Sequence, residues 1–152
     1  MKLWHYTSKE RIDTILDSEV INLATAGVPK REKPAAWLSS NPIWENTATK
    51  PKIDESGNRS TMTKDEMDLA LGLARIEVEV FSGIINWKHF KRVSGIKNSS
   101  ALALESSGLN QNANPKEWFT SFKPISIDYW IKAEIWVEGK WVDYEVFEVI
   151  EE

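Results

Sequence analysis

The chain has 152 residues, with 19 Lys and Arg against 23 Asp and Glu, a formal charge of −4, and 41% hydrophobic residues, as expected of one soluble domain spanning 1–152. Only 7 Gly and 6 Pro exclude collagen-like and low-complexity chains, and the absence of Cys excludes disulfide staples, thiolate nucleophiles and Cys-based zinc sites. The two histidines, His5 and His89, cannot make a three-His metal site, so the chemistry is expected from oxygen and nitrogen side chains with no metal.

In chain order, Lys2 to Tyr6 alternates as a short strand, with Leu3 and His5 on one face and Trp4 and Tyr6 on the other. Thr7 with Glu10 makes a capping box for a helix whose stripe is Ile12, Ile15 and Leu16, ending near Ser18. Val20 to Leu23 reads as a strand, and Ala24 to Pro34 as a loop and candidate flap. Ala35 to Ser39 is a buried strand, and Asn41-Pro42 opens a short helix bearing Trp44. Residues 50–63 form an exposed loop, closed by a second capping box, Thr63 with Glu66, whose helix runs to about Leu71.

Ala74 to Val80 alternates cleanly, with Ile76, Val78 and Val80 opposite Arg75, Glu77 and Glu79. Trp87 to Val93 is a basic amphipathic helix, and Asn98 to Pro115 is Ser- and Asn-rich with no clear element. Ile131 to Val137, a turn at Glu138-Gly139, and Trp141 to Tyr144 form a hairpin. Short strands mixed with short helices predict an α+β fold with a split, mainly antiparallel sheet. No Gly-rich phosphate loop is present. No apolar run is long enough to span a membrane, and the N-terminus reaches a charged helix too soon for a secretory signal, so no membrane is expected and the location is read as cytoplasmic.

Three segments could carry chemistry. His5-Tyr6-Thr7 lies where a strand hands over to a helix; it either presents the imidazole to a ligand or packs it under the helix. Trp37 to Trp44 sets Ser39 and Ser40 at a strand end with an aromatic one turn later, suited to a planar ring, although the commoner use of such a segment is Ser40 or Asn41 as a helix cap with Trp37 and Trp44 as core anchors. In Ile131 to Val137, Glu134 shares a face with Lys132 and Trp136; it is a desolvated ligand-binding carboxylate or part of a solvated sheet face. Trp87, Lys88, His89, Lys91 and Arg92 form a basic, aromatic cluster that either holds a phosphate backbone or is the outer side of a helix whose Trp87 and Phe90 point inward.

In this order the three segments resemble the three-part motif of the ADP-ribosyltransferase superfamily, closest in style to the DarT toxins and the PARP branch: a strand with His-x-Thr, a strand and helix with Ser and an aromatic, and a late strand carrying Glu. The resemblance implies an ADP-ribosyltransferase-like split sheet with short flanking helices, NAD as substrate and no metal. It implies that His5 bonds the adenosine ribose, that the Tyr6 backbone meets the nicotinamide amide beside Thr7, and that Ser39 lines the nicotinamide pocket. Trp44 would stack on the nicotinamide ring where the family usually has Tyr. Glu134 would bond the 2′-hydroxyl of the nicotinamide ribose and stabilise the charge that develops as the glycosidic bond breaks. Lys132 stands where branches that modify Arg or Asn side chains carry Glu or Gln, which leaves the macromolecular acceptor, protein or nucleic acid, open, and the resemblance places a substrate-side loop before the catalytic strand at about Asn112 to Tyr129.

Two other readings on the same fold are an NAD glycohydrolase and an RNA 2′-phosphotransferase; the latter needs several cations converging on a phosphate. The alternative outside enzymology is a partner-binding or inhibitor protein with exposed Trp anchors. A two-histidine phosphoesterase fails, because His89-Phe90-Lys91 lacks the second hydroxyl.

Overall fold

Alternating apolar residues on both ends of the chain converge on one seven-stranded sheet. The computed structural model describes residues 1–144, so residues 145–152 of the expected domain lie outside the described residues. The strands are β1 (Leu3–Ser8), β2 (Val20–Ile21), β3 (Ala36–Ser39), β4 (Pro51–Ile53), β5 (Arg59–Thr61), β6 (Leu73–Val78), β7 (Ile84–Asn86), β8 (Trp118–Ser121), β9 (Ile125–Ser126), β10 (Trp130–Val137) and β11 (Lys140–Asp143). The helices are α1 (Lys9–Ser18), α2 (Lys64–Ala70), α3 (Trp87–Val93) and α4 (Asn98–Asn110). The main sheet runs β11-β10-β6-β1-β3-β8-β7, with every neighbouring pair antiparallel, so the fold is α+β with a mainly antiparallel sheet as expected. None of its helices is long and apolar enough to cross a membrane among the described residues.

Both faces of the sheet are covered. Leu3, Leu38, Ile76 and Val78 pack with Ile12 of α1 and with Ile21 and Ile125 of the small β2–β9 ribbon. On the opposite face, Trp4, Tyr6 and Leu73 pack with Trp44 and with Met67 of α2, while Trp118 packs with Trp87 and Phe90 of α3 and Ala101 of α4. Burial on two sides explains β6, whose six residues are all buried, Arg75 and Glu77 included.

That burial needs compensation for Arg75. Its Nε donates to Glu134 Oε1 at 2.8 Å, and its Nη1 donates to the Tyr6 hydroxyl at 3.1 Å and to the Pro42 carbonyl at 2.6 Å. The guanidinium carbon lies 4.6 Å from the Trp4 ring centre and 4.4 Å from that of Trp141. Strand register aligns the set: Tyr6 is opposite Arg75 across β1–β6, and Glu134 is opposite Arg75 across β10–β6.

Several local expectations are corrected. The α1 cap is Ser8, which accepts from the Arg11 amide at 3.1 Å, not Thr7 with Glu10, because β1 continues its pairing with β6 as far as Ser8 and holds Thr7 in the sheet. Pro42 opens no helix: the Asn41 side chain accepts from the amides of Ile43 and Trp44, making a side-chain turn, and the helical residues are a single 3-10 turn, Asn46–Ala48. The 50–63 loop contains the β4–β5 hairpin. The Ser- and Asn-rich stretch is the 13-residue α4, and the 112–129 segment supplies β8 at an interior position of the sheet, with Trp118 buried. The Thr63–Glu66 capping box, the Trp87–Val93 helix and the late hairpin stand as expected.

Removing one member of a buried charged pair leaves the other without a partner. Arg75→Met is expected to lower the free energy of unfolding in urea by about 3–5 kcal/mol, and Arg75→Met with Glu134→Leu to recover most of that loss.

Candidate functional site

The sheet is weakest between β1 and β3, which share only the pair Trp4 with Ser39. Beyond that pair the His5 side chain spans the gap, its Nδ1 donating to the Trp37 carbonyl at 2.8 Å in place of a ladder bond. A carbonyl oxygen can only accept, so Nδ1 carries the hydrogen, and Nε2 of the neutral ring is an acceptor. Burial lowers the His5 pKa below its ordinary 6.5; the Trp37 bond opposes this, and the positive charges of Arg11 and Lys50 reinforce it.

At this gap lies a cleft of about 540 Å³, a size suited to a small molecule or dinucleotide. His5, Tyr6 and Thr7 from β1 form one side, and Trp37 and Ser39 from β3 another. Ser107 and Gly108 of α4, with Gln111 just past its end, add a third wall. Arg11 and Lys50 line it as well, giving it two cations and an acceptor imidazole.

The carboxylate in this cleft is Glu45. It is only 7% exposed, and it caps the Asn46–Ala48 turn. Its Oε1 accepts from Ser39 Oγ at 2.8 Å; its Oε2 accepts from the Thr47 amide at 3.2 Å, Thr47 Oγ1 at 2.6 Å and Trp118 Nε1 at 3.1 Å. Among the described residues no Lys, Arg or His stands within ion-pair distance of it. A carboxylate offers about four lone-pair directions, and Oε1 uses one, so it retains capacity for a ligand hydroxyl.

Of the six residues expected at the site, His5, Tyr6, Thr7 and Ser39 come together around this cleft, while Trp44 and Glu134 do not line it. Trp44 is 3% exposed and packs against Tyr6 with ring centres 5.1 Å apart and against Trp141 at 6.4 Å; the core occupies the faces expected to meet nicotinamide. Glu134 is 6% exposed and bound by Arg75 on a strand separated from β1 by β6, because its register partner is the guanidinium and not a ligand. The Tyr6 hydroxyl donates to the Asn41 carbonyl while accepting from Arg75, and burial pushes its pKa up to about 12, so the phenol is structural. Glu45 escaped the sequence reading. Its signal was an acid followed by Asn46-Thr47, the pattern of a side chain capping a turn, immediately after an aromatic.

Trp118 reaches Glu45 only because α4 carries glycine where the indole crosses it. A Cβ on Gly108 would lie 2.6 Å from Trp118 Cζ2.

Trp87, His89 and Phe90 separate in the way a helix face dictates: Trp87 and Phe90 enter the core, while Lys88, His89 and Arg92 are exposed. Among the described residues no three His, Asp or Glu side chains are grouped so that they could hold a metal ion. No protein-family model, curated protein or solved structure matches the chain.

Two measurements follow. Because the folded pKa of His5 is below its unfolded value, the unfolded chain binds the proton more readily, and stability falls as the pH drops below about 6.5. In His5→Gln the melting temperature is expected to change less between pH about 7.5 and about 5 than in the parent chain. Gly108→Ala is expected to cost about 1–3 kcal/mol by overpacking against Trp118, seen in denaturant unfolding with an altered tryptophan emission, whereas Ser106→Ala on the exposed side of α4 leaves both unchanged.

Proposed function

We propose that the chain is an NAD-dependent ADP-ribosyltransferase that moves ADP-ribose from NAD to a macromolecular acceptor and releases nicotinamide. The observation that carries this reading is the cleft at the interrupted β1–β3 ladder, where the His5-x-Thr7 strand faces Ser39 and the buried, counterion-free Glu45. The single residue pair joining β1 to β3 leaves β11-β10-β6-β1 and β3-β8-β7 weakly connected within the one sheet, which supports reading it as an ADP-ribosyltransferase-like split sheet. A cytoplasmic location and a toxin-like role belong to the same proposal.

The residues suit the substrate. Arg11 and Lys50 provide positive charge for a pyrophosphate, and His5, as a neutral acceptor, takes a hydrogen bond from a ribose hydroxyl. Trp37 and Trp118 give the cleft aromatic walls for a planar ring. The reaction breaks the bond between nicotinamide nitrogen and C1′, with the electron pair leaving on neutral nicotinamide and positive charge spreading over the ribose C1′ and ring oxygen. An acceptor nucleophile then bonds C1′ and gives up its proton. Glu45 bonds the 2′-hydroxyl of that ribose, and its negative charge stabilises the transition state more than the ground state, since the positive charge develops only there. In this reading the carboxylate role expected of Glu134 belongs to Glu45. Glu134 is a positioning residue that orients Arg75, whose bond to the Pro42 carbonyl steadies the turn leading to Glu45.

The partner-binding alternative needs exposed Trp anchors. All eight Trp residues are buried or half-buried, which disfavours it. The phosphotransferase reading needs several cations, and the cleft has two.

Incubation with nicotinamide-labelled NAD and cell extract is expected to release nicotinamide and label a macromolecule when the ADP-ribose moiety is labelled instead. Glu45→Gln is expected to lower kcat by about 10²–10³ with the NAD-dependent rise in melting temperature retained. Release of free ADP-ribose with no labelled macromolecule selects the glycohydrolase. Neither turnover nor any rise in melting temperature at millimolar NAD overturns the proposal.

A further inference from the structure

The chain is acidic overall, yet its cations are unevenly placed. Loop residues Lys30, Arg31 and Lys33 are exposed, and the loop is fastened to the end of α3: the Lys33 amide donates to the Ser94 carbonyl at 2.7 Å and Arg31 Nε to the Gly95 carbonyl at 3.3 Å. Gly95 permits this approach, since it adopts φ +84 and a Cβ there would lie 2.2 Å from the Arg31 carbonyl oxygen. Exposed Lys88 and Arg92, one turn apart on α3, continue the surface, with Lys97 beyond it. Lys33 Nζ sits 5.4 Å from the Phe122 ring, which brings the neighbouring Lys123 to the same edge. Glu32 is the acid within the loop, while Glu105 is taken up by Lys91 and the Trp87 indole.

We propose that this face binds the phosphate backbone of double-stranded nucleic acid without reading its sequence. A protein partner or a membrane surface calls for apolar anchors among the charges, and a single strand calls for exposed aromatic platforms. Here Trp87 and Phe90 are turned into the core and Phe122 is half-buried under Lys33, which leaves Val93 as the one apolar side chain exposed on α3 and the cations without aromatic anchors. A duplex, with its regular phosphates, needs only such an array. The surface adjoins the cleft, because the loop leaves from cleft residue Ala24, and cleft residue Trp118 packs edge-on against Trp87 of α3 at 5.3 Å.

The test needs no NAD, so it stands or falls apart from the proposed activity. Fluorescence anisotropy with a labelled mixed-sequence duplex of about 20 base pairs is expected to show binding whose log K falls linearly with log salt, with a slope of about −4 between about 50 and 200 mM. The pair Lys88→Glu and Arg92→Glu is expected to weaken binding by about tenfold or more and shrink the slope by about 2, with the melting temperature unchanged. Lys2→Glu with Lys140→Glu, exposed elsewhere, is the charge-matched control and is expected to leave affinity within about twofold. No binding at the lowest salt, equal weakening in the control pair, or tighter binding to a single strand or to phosphatidylserine-containing vesicles than to the duplex would each overturn the proposal.

Discussion

A buried guanidinium between the Trp4 and Trp141 rings, bonded to Glu134, Tyr6 and Pro42, joins β10, β6, β1 and the turn that leads to Glu45. Such a pair contributes less to net stability than its Coulomb attraction suggests, because both charges leave water. Its larger effect is on register. A slip of one residue between β1 and β6 would carry Arg75 to the face where Leu3, Ile12 and Ile76 pack, leaving a charge among apolar groups without a partner. Lys132, 3.7 Å from Glu134 Oε2 and with its side chain 47% exposed, adds little, since water screens it.

A firm register on one side of β1 contrasts with an interrupted ladder on the other. Six residue pairs join β1 to β6, and one joins it to β3. The cleft occupies the place where backbone pairing stops, with polar side chains meeting the needs of the backbone there, as His5 does for Trp37. Glu45 is held within this region by four neutral donors, three on Oε2 and one on Oε1, that fix its orientation without neutralising its charge. An anion in a partly dry pocket acts more strongly on a developing positive charge than one in water, because less solvent stands between them.

The sequence was most readable where a local rule and the tertiary fold agree. The Thr63–Glu66 box satisfies its own amides, and α3 follows its apolar spacing from Trp87 to Val93. The Ile131 to Tyr144 hairpin has the alternating first arm and the Glu138-Gly139 turn that its pairing requires. Reading failed where contacts override composition. The α4 helix carries Ser, Asn and Gly and shows little amphipathic pattern, so its helicity depends on packing Ala101 and Gly108 against the Trp87 and Trp118 region. Strand β8 has only four residues beside a Pro-containing turn, and its place between β3 and β7 comes from long-range pairing.

Within the candidate site the same division holds. Composition and spacing determined the α+β class, the exclusion of cysteine chemistry, and the placing of His5 and Tyr6 on one strand and Ser39 on another, because alternation is a property of a few neighbouring residues. Which carboxylate enters the cleft was decided by the tertiary structure alone. Glu134 and Glu45 each stand beside a hydrophobic residue in the sequence, but Arg75, 59 positions from Glu134, claims the first, and Ser39 and Trp118 claim the second. Those partners are brought together by strand order, and strand order is set by burying two sheet faces at once, which no local pattern records.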